Sequence, residues 1–142
     1  MPTRSAHAAW EGDLKGGKGT MKFGSGAFDG AYSFSSRFEN GAGTNPEELI
    51  AAAHAGCFSM ALSHGLSQAG FPPASVRTTA DVHLEKGSSG FSIPRINLVT
   101  EATVPGIDEG EFQRQAETAK QNCPVSKLLA GAAIELQARL TS

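Results

Sequence analysis

The chain has 142 residues, with 14 acidic and 12 basic side chains and a net charge of −2 when histidine is neutral. This length fits one domain over residues 1–142, large enough to bury a sizeable core. No run of Lys and Arg is long enough to neutralise several phosphates, so we expect no nucleic-acid partner and no anionic membrane partner. A small-molecule substrate is the better expectation.

The N-terminal residues lack a basic-then-apolar export signal. The longest apolar stretch is interrupted by polar residues, among them His54 and His64, so we expect no membrane span and a soluble, cytoplasmic protein. In that reducing compartment the two cysteines, Cys57 and Cys123, are more often catalytic, redox-active or metal-binding than a permanent disulfide. Metal is the weakest of these because no Cys-x-x-Cys is present, and no cofactor is expected.

The first 39 residues read as an antiparallel meander. Glycines separate short β-prone segments, as is typical of strands joined by tight turns. The predicted segments are 7–10, 19–23 and 32–38.

A long helix is predicted from Pro46 to Ala69. Asn45 can cap it, Pro46 suits its first position, and Gly70 suits its left-handed end. Residues 49–63 carry no formal charge and are small or apolar on nearly every face. We therefore expect burial most of the way round, which a single subunit of this size would struggle to supply.

The second half predicts strands on either side of two helices, so the fold class is α+β. Alternation marks the first and last strands, and Pro94 indicates an edge or a bulge near the start of the second. The predicted elements are a strand at 76–85, a turn at 86–90, a strand at 91–104, helices at 108–122 and 125–129, and a strand at 134–140.

Four blocks are distinctive enough to indicate a family. They are Trp10-Glu11-Gly12-Asp13, the block at 43–62 that runs from Gly-Thr-Asn-Pro-Glu-Glu to Cys-Phe-Ser-Met-Ala-Leu, Val104-Pro105-Gly106-Ile107, and Asn122-Cys123-Pro124-Val125-Ser126. Together they resemble the OsmC/Ohr family. The resemblance implies antiparallel sheets wrapped around a long buried central helix in an intertwined homodimer. It also implies a thiol-dependent peroxidase of oxidative or osmotic stress defence. Such enzymes reduce organic hydroperoxides, and hydrogen peroxide more weakly, to alcohols with electrons from a dithiol, typically a dihydrolipoyl group.

By position in these motifs, Cys57 is similar to the peroxidatic cysteine and Cys123 to the resolving cysteine. Arg37 and Glu47 are similar to the pair that activates the thiol. The chemistry agrees, because thiolate attacks the peroxide and a guanidinium can stabilise that charge. A nearby second thiol can then convert the sulfenic acid to a disulfide before further oxidation.

Helix geometry bears on the assembly. Glu47 and Cys57 are ten positions apart, which on one straight helix is about 15 Å of rise and about 80° of rotation. Either the first turn bends away, or the Arg37 and Glu47 that serve one sulfur arrive from the other subunit. The second is our hypothesis, because the apolar helix already requires a partner.

Other interpretations stay open at this stage. Cys57 could be an inert small hydrophobe, or it could pair with His54, three residues earlier, as the nucleophile and base of a hydrolase or acyltransferase. The same two thiols could also serve a non-enzymatic redox sensor. An apolar pocket would favour bulky hydroperoxides, and the candidates to line it are Phe28, Phe38, Phe58 and Met60.

Overall fold

The computed structural model describes residues 1–141 of the chain. The chain divides into two compact units, the first covering residues 1–49 and the second beginning at Ile50. The prediction of a single domain over residues 1–142 stays a prediction.

The first unit contains an antiparallel sheet with the strand order β1-β2-β3. Its strands are β1 (Ala6–Glu11), β2 (Lys18–Phe23) and β3 (Asp29–Tyr32). The meander predicted from the glycine spacing is therefore confirmed, but its third strand lies at Asp29–Tyr32 and not at the predicted 32–38.

The segment after β3 differs from the prediction, because residues 34–38 form the short helix α1 (Phe34–Phe38) and not a strand. A capping box starts this helix: the Ser33 hydroxyl accepts from the Ser36 N–H at 3.1 Å, and the Ser36 hydroxyl accepts from the Ser33 N–H at 2.9 Å. Two reciprocal hydrogen bonds satisfy N–H groups that the first turn leaves unpaired. They outweigh the β propensity of the flanking aromatic residues.

The long helix α2 (Pro46–Gln68) has 23 residues, close to its predicted bounds. The Asn45 side chain accepts from the Glu48 N–H at 2.7 Å, and Gly70 follows the helix with φ of 91°. One face is fully buried, through His54, Phe58, Leu62 and Leu66. The opposite face is exposed, with Met60 75% accessible, so the all-round burial expected from the sequence is not reached within one chain.

The second unit contains the remaining sheet, with the strand order β4-β5-β6. Its elements are β4 (Ser75–Gly87), β5 (Gly90–Thr103), α3 (Glu109–Asn122), α4 (Pro124–Leu128) and β6 (Ala133–Thr141). β4 and β5 are antiparallel, with a register shift where Leu84 faces both Ile93 and Pro94. The bulge predicted at Pro94 is confirmed, because two residues of one strand oppose one of the other.

β6 departs from the expectation of antiparallel sheets, since it pairs with β5 in parallel, from Arg95 opposite Ala133 to Thr103 opposite Thr141. Two parallel neighbours require a crossover connection, and α3 and α4 supply it. The core lies between this sheet and the buried faces of α2 and α3. Its members are Phe58, Leu62, Leu66, Ile96, Leu98, Ala102, Val104, Phe112, Ala116 and Ala119.

Candidate active site

The two cysteines meet within the second unit. The Sγ atoms of Cys57, on α2, and Cys123, between α3 and α4, lie 2.8 Å apart. Cys123 is fully buried and Cys57 is partly accessible, and both are free thiols. A disulfide bond is about 2.05 Å long, so only about 0.8 Å of closure separates the pair from a covalent bond.

The backbone around Cys123 explains its placement. The Cys123 N–H donates to the carbonyl of Ala119 at 2.9 Å, which completes the last turn of α3. Pro124 then cannot extend α3, and it suits the first position of α4. The residue between the two helices is thus fixed on both sides.

The electrostatic surroundings of Cys57 oppose ionisation within one chain. Burial raises the pKa of the Cys57 thiol, and the hydrogen bond with Cys123 raises this pKa further. The backbone N–H of Val125 donates to the sulfur and offsets part of the rise in pKa. Within one chain the surroundings therefore favour the neutral thiol of Cys57 over its thiolate.

An ion pair between Arg37 and Glu47 lies in the first unit. The Arg37 guanidinium donates to both carboxylate oxygens of Glu47, with Nε to Oε1 at 3.0 Å and Nη2 to Oε2 at 2.9 Å. Glu47 is 7% exposed, while the Arg37 side chain keeps 35% of its surface accessible. Two parallel hydrogen bonds hold the guanidinium group in one orientation. Arg37 is therefore an ordered cation whose side chain remains partly accessible.

Short-range hydrogen bonds join α1 to the start of α2 and so fix this pair. The Ser36 hydroxyl donates to the carbonyl of Thr44 at 2.7 Å, and the Asn45 amide donates to the carbonyl of Ser36 at 3.0 Å. Asn45 thus caps α2 and binds α1 at the same time. Arg37 follows Ser36 and Glu47 follows Pro46, so the bidentate pair lies next to these contacts.

His54 does not form the dyad that the sequence left open. Its Nε2 lies 2.8 Å from the Ser126 hydroxyl, and its Nδ1 has no hydrogen-bond partner. Neither ring nitrogen is therefore bonded to Cys57. His54 is fully buried, and burial lowers its pKa, so the ring is neutral at physiological pH. This geometry argues against a cysteine hydrolase or acyltransferase.

An aromatic cavity of about 230 Å³ lies beside Arg37 in the first unit. It is lined by Trp10, Leu14, Tyr32, Ser33, Phe34, Arg37 and Phe38. Of the four residues expected to form an apolar pocket, only Phe38 takes part in this cavity. Phe58 is in the core of the second unit, and the ring of Phe28 packs on Phe23 with 5.0 Å between centroids.

The OsmC-like protein family model matches residues 39–138, which include α2, both cysteines and Glu47. The chain belongs to the OsmC-like family. Arg37 lies two residues before the matched segment, so its place in the site rests on the ion pair with Glu47 and on the wider resemblance.

Comparison with other members agrees with this membership. The chain is 54% identical over 127 residues to peroxiredoxin OsmC of Escherichia coli, covering 89% of each chain. It is 34% identical over 93 residues to an organic hydroperoxide resistance protein-like protein of Staphylococcus aureus, covering 65% of this chain and 66% of that one. A crystal structure of an organic hydroperoxide resistance protein from Elizabethkingia anophelis superposes with a TM-score of 0.73 at 26% identity, covering 100% of this chain and 97% of that one.

Two residues of this OsmC-like chain escaped the sequence analysis. Val125 supplies a backbone donor to Cys57, and Ser126 supplies the partner of His54. The only sequence signal for Ser126 was its position in the Cys123-Pro124-Val125-Ser126 block, three residues after the cysteine. A contact over 72 positions cannot be read from local spacing.

Proposed function

We propose that this OsmC-like protein is a thiol-dependent peroxidase that reduces organic hydroperoxides to alcohols. The observation that carries the proposal is the 2.8 Å separation of the Cys57 and Cys123 sulfurs in a chain of this family. A resolving thiol at that distance allows a sulfenic acid to be converted to a disulfide before a second peroxide reacts.

The reaction begins when the Cys57 thiolate attacks the outer oxygen of the hydroperoxide. The O–O bond breaks, the alkoxide takes a proton to leave as the alcohol, and the sulfur is left as a sulfenic acid. The Cys123 sulfur then attacks the Cys57 sulfur, and water leaves as the S–S bond forms. Two electrons have passed from the two thiols to the peroxide.

Arg37 is proposed to lower the pKa of the Cys57 thiol and to stabilise the departing alkoxide. Glu47 orients the guanidinium through its two hydrogen bonds, and Arg37 offsets the negative charge that Glu47 would otherwise bring to the site. Because α2 runs unbroken from Pro46 to Gln68, Glu47 is about 15 Å along the helix from Cys57. We therefore propose that Arg37 and Glu47 of one subunit serve Cys57 of the other.

The exposed face of α2 supports a homodimer. This face carries Ala53, Gly56 and Met60 at helical spacing, all exposed within one chain. By length and composition alone α2 could span a membrane, with a mean hydropathy of 1.3 over its most apolar 18 residues. The buried histidine and the hydrogen-bonded Ser59 on the same helix argue for a core helix covered by a second copy instead. We propose a soluble cytoplasmic homodimer.

The aromatic cavity beside Arg37 is proposed to hold the organic tail of the hydroperoxide. Apolar walls next to a fixed cation suit a substrate with an apolar body and a polar reacting end. The electrons that reopen the disulfide are proposed to come from a dithiol of the dihydrolipoyl class through thiol–disulfide exchange.

One experiment tests the reaction. Reduced protein is treated with one equivalent of an organic hydroperoxide, and the intact mass, free thiols and alcohol product are measured. The expected result is loss of two hydrogens per chain, no remaining free thiol, and one equivalent of alcohol. Repeated turnover with dihydrolipoamide distinguishes a peroxidase from a redox sensor, and an unchanged mass would refute both.

A second experiment tests the shared site. Chains carrying Cys57→Ser are mixed with chains carrying Arg37→Ala under conditions that exchange subunits. If sites are shared, a mixed dimer contains one site with both Arg37 and Cys57 intact, and activity exceeds that of either parent. Activity no higher than the parents would contradict sharing.

A further inference from the structure

Two side-chain contacts join α2 to the segment that carries the resolving cysteine. One is the sulfur pair Cys57 and Cys123, and the other is the hydrogen bond of His54 to Ser126. His54 precedes Cys57 by three residues, and Ser126 follows Cys123 by three. The contacts therefore lie about one helical turn apart on each side, in the order expected for segments that run in opposite directions.

The His54 contact is fully shielded from water. His54 is 0% exposed and Ser126 is 4% exposed, and the distance of 2.8 Å is within the usual range for a hydrogen bond. Breaking it would leave a second ring nitrogen of His54 without a partner, because Nδ1 already has none. Burying an unpaired polar atom is costly, so the geometry favours the state in which α4 is docked on α2.

α4 needs such a contact because it cannot hold its position alone. It has five residues and no side-chain cap at its N-terminus. A helix of this length is not stable by itself in water. During turnover the sulfur contact changes, since Cys57 becomes a sulfenic acid before Cys123 attacks, whereas the His54 contact lies outside the reacting atoms.

We propose that His54 and Ser126 form a positioning pair that keeps α4, and with it Cys123, against α2 while Cys57 is oxidised. The pair sets the rate of disulfide closure, and thereby the partition between a disulfide and over-oxidation to sulfinic acid. This inference rests on the proposed peroxidase function for its role in turnover, while the geometric claim concerns only closure between the two thiols.

The kinetic test compares Ser126→Ala, His54→Phe and the double variant with the unmodified dimer. Sulfenic acid formation and disulfide closure are followed in single turnover, and the sulfinic fraction is measured by intact mass at a fixed excess of hydroperoxide. We expect sulfenic acid formation within about twofold of the unmodified rate. Closure is expected to slow by about three- to tenfold, as for the loss of one net hydrogen bond, with a matching rise in the sulfinic fraction.

The double variant separates a shared bond from two independent effects. If the two residues act through one hydrogen bond, closure in the double variant is no slower than in the slower single variant. The matched control is Ser59→Ala, which removes another hydroxyl of α2 that donates across to Thr78 at 2.7 Å. Its sulfinic fraction should match that of the unmodified protein.

A second readout needs no hydroperoxide. Reduced protein is equilibrated with mixtures of oxidised and reduced dithiothreitol, and the disulfide fraction is measured. The reduced chain can release α4, whereas the disulfide form cannot. Ser126→Ala should therefore need a ratio of oxidised to reduced dithiothreitol about three- to tenfold higher to reach the same disulfide fraction. If unmodified protein forms this disulfide but does not react with hydroperoxide, the proposed peroxidase function is refuted. The positioning role of His54 and Ser126 in closure between the two thiols is not contradicted by that result. The positioning pair would be overturned if Ser126→Ala changed neither the rate of disulfide closure, nor the sulfinic fraction, nor the disulfide equilibrium with dithiothreitol. Additive effects in the double variant would also overturn it.

Discussion

The Arg37 guanidinium and the Glu47 carboxylate form a bidentate ion pair, with both hydrogen bonds at or below 3.0 Å. Glu47 stands in the first turn of α2, where an acid also stabilises the helix dipole. One carboxylate thus serves the start of a helix and the orientation of a cation. Glu47 therefore has a structural role at the start of α2, beside the role proposed for it in orienting Arg37.

Replacing Arg37 should affect the peroxidase more than replacing its partner. For Arg37→Ala we expect kcat/KM for an organic hydroperoxide to fall by about 100-fold, as when one charge-stabilising donor is removed from a site. For Glu47→Gln we expect about a tenfold fall, because the neutral amide binds the guanidinium less strongly. Steady-state kinetics with dihydrolipoamide measures both.

The matched control for that comparison is Arg114→Ala. Arg114 also bonds a nearby acid, Glu111, at 2.7 Å, but its side chain is 69% exposed. An exposed pair of this kind contributes about 0–1 kcal/mol, so activity should not change. An Arg37→Ala enzyme with unmodified kcat/KM would contradict the proposed role.

The pH dependence of Cys57 alkylation should reveal the contribution of Arg37. Burial raises the pKa of the Cys57 thiol, so without the guanidinium its thiolate forms only at a pH above the ordinary midpoint of a cysteine. In a Cys123→Ser background, the alkylation rate of the Arg37→Ala variant should therefore reach its midpoint at higher pH than that of the protein with Arg37. Identical midpoints would mean that Arg37 does not act on this sulfur.

The exposed face of α2 should control oligomeric state. Met60 is 75% exposed near the middle of the helix, so Met60→Lys should place a charge in the proposed dimer interface. We expect a shift towards monomer in light scattering and a loss of activity at the same protein concentration. Gln121→Lys, on the exposed side of α3, is the control and should stay dimeric. A Met60→Lys dimer with full activity would place the interface elsewhere.

The elements that the sequence predicted well are those with local signals. Asn45 before α2 and Gly70 after it occupy the capping positions expected from the residue types. Helix α1 was missed because its stability comes from the Ser33 and Ser36 hydroxyls and from a contact with Thr44. The capping box is local, but a helix of five residues is too short to show a periodic pattern, and the contact with Thr44 depends on the return path of the chain.

In the site too, local features were predicted from the sequence and contacts between distant segments were not. The residue types at the cysteines predicted thiol chemistry, but only the family resemblance paired Cys57 with Cys123 and Arg37 with Glu47. The sulfurs are 66 positions apart, and the parallel pairing of β6 with β5 follows from a crossover that strand patterns do not encode. His54 was weighed as a base for Cys57 because helical spacing makes them neighbours, whereas its partner came from another element.

The aromatic cavity should determine preference among peroxides. Phe34 and Phe38 both line it, with ring centroids 4.9 Å apart. For Phe34→Ala we expect KM for a bulky aryl-alkyl hydroperoxide to rise by about tenfold, as when part of an apolar contact is removed, with little change for hydrogen peroxide. Phe23→Ala is the control, because Phe23 packs on Phe28 and does not line this cavity. An equal change in KM for both peroxides would show that the cavity does not bind the organic tail of the hydroperoxide.

Oxidation should make the protein more stable. The disulfide between Cys57 and Cys123 would close a loop of 66 residues, for which chain entropy gives up to about 4 kcal/mol of added unfolding free energy. The sulfurs already lie 2.8 Å apart, so little native-state distortion should offset this gain. Urea unfolding of oxidised and reduced protein should therefore show a higher midpoint for the oxidised form. Cys123→Ser treated with the same oxidant cannot close the loop and should not gain stability. A lower midpoint for oxidised protein would mean that the disulfide forces α4 out of its docked position.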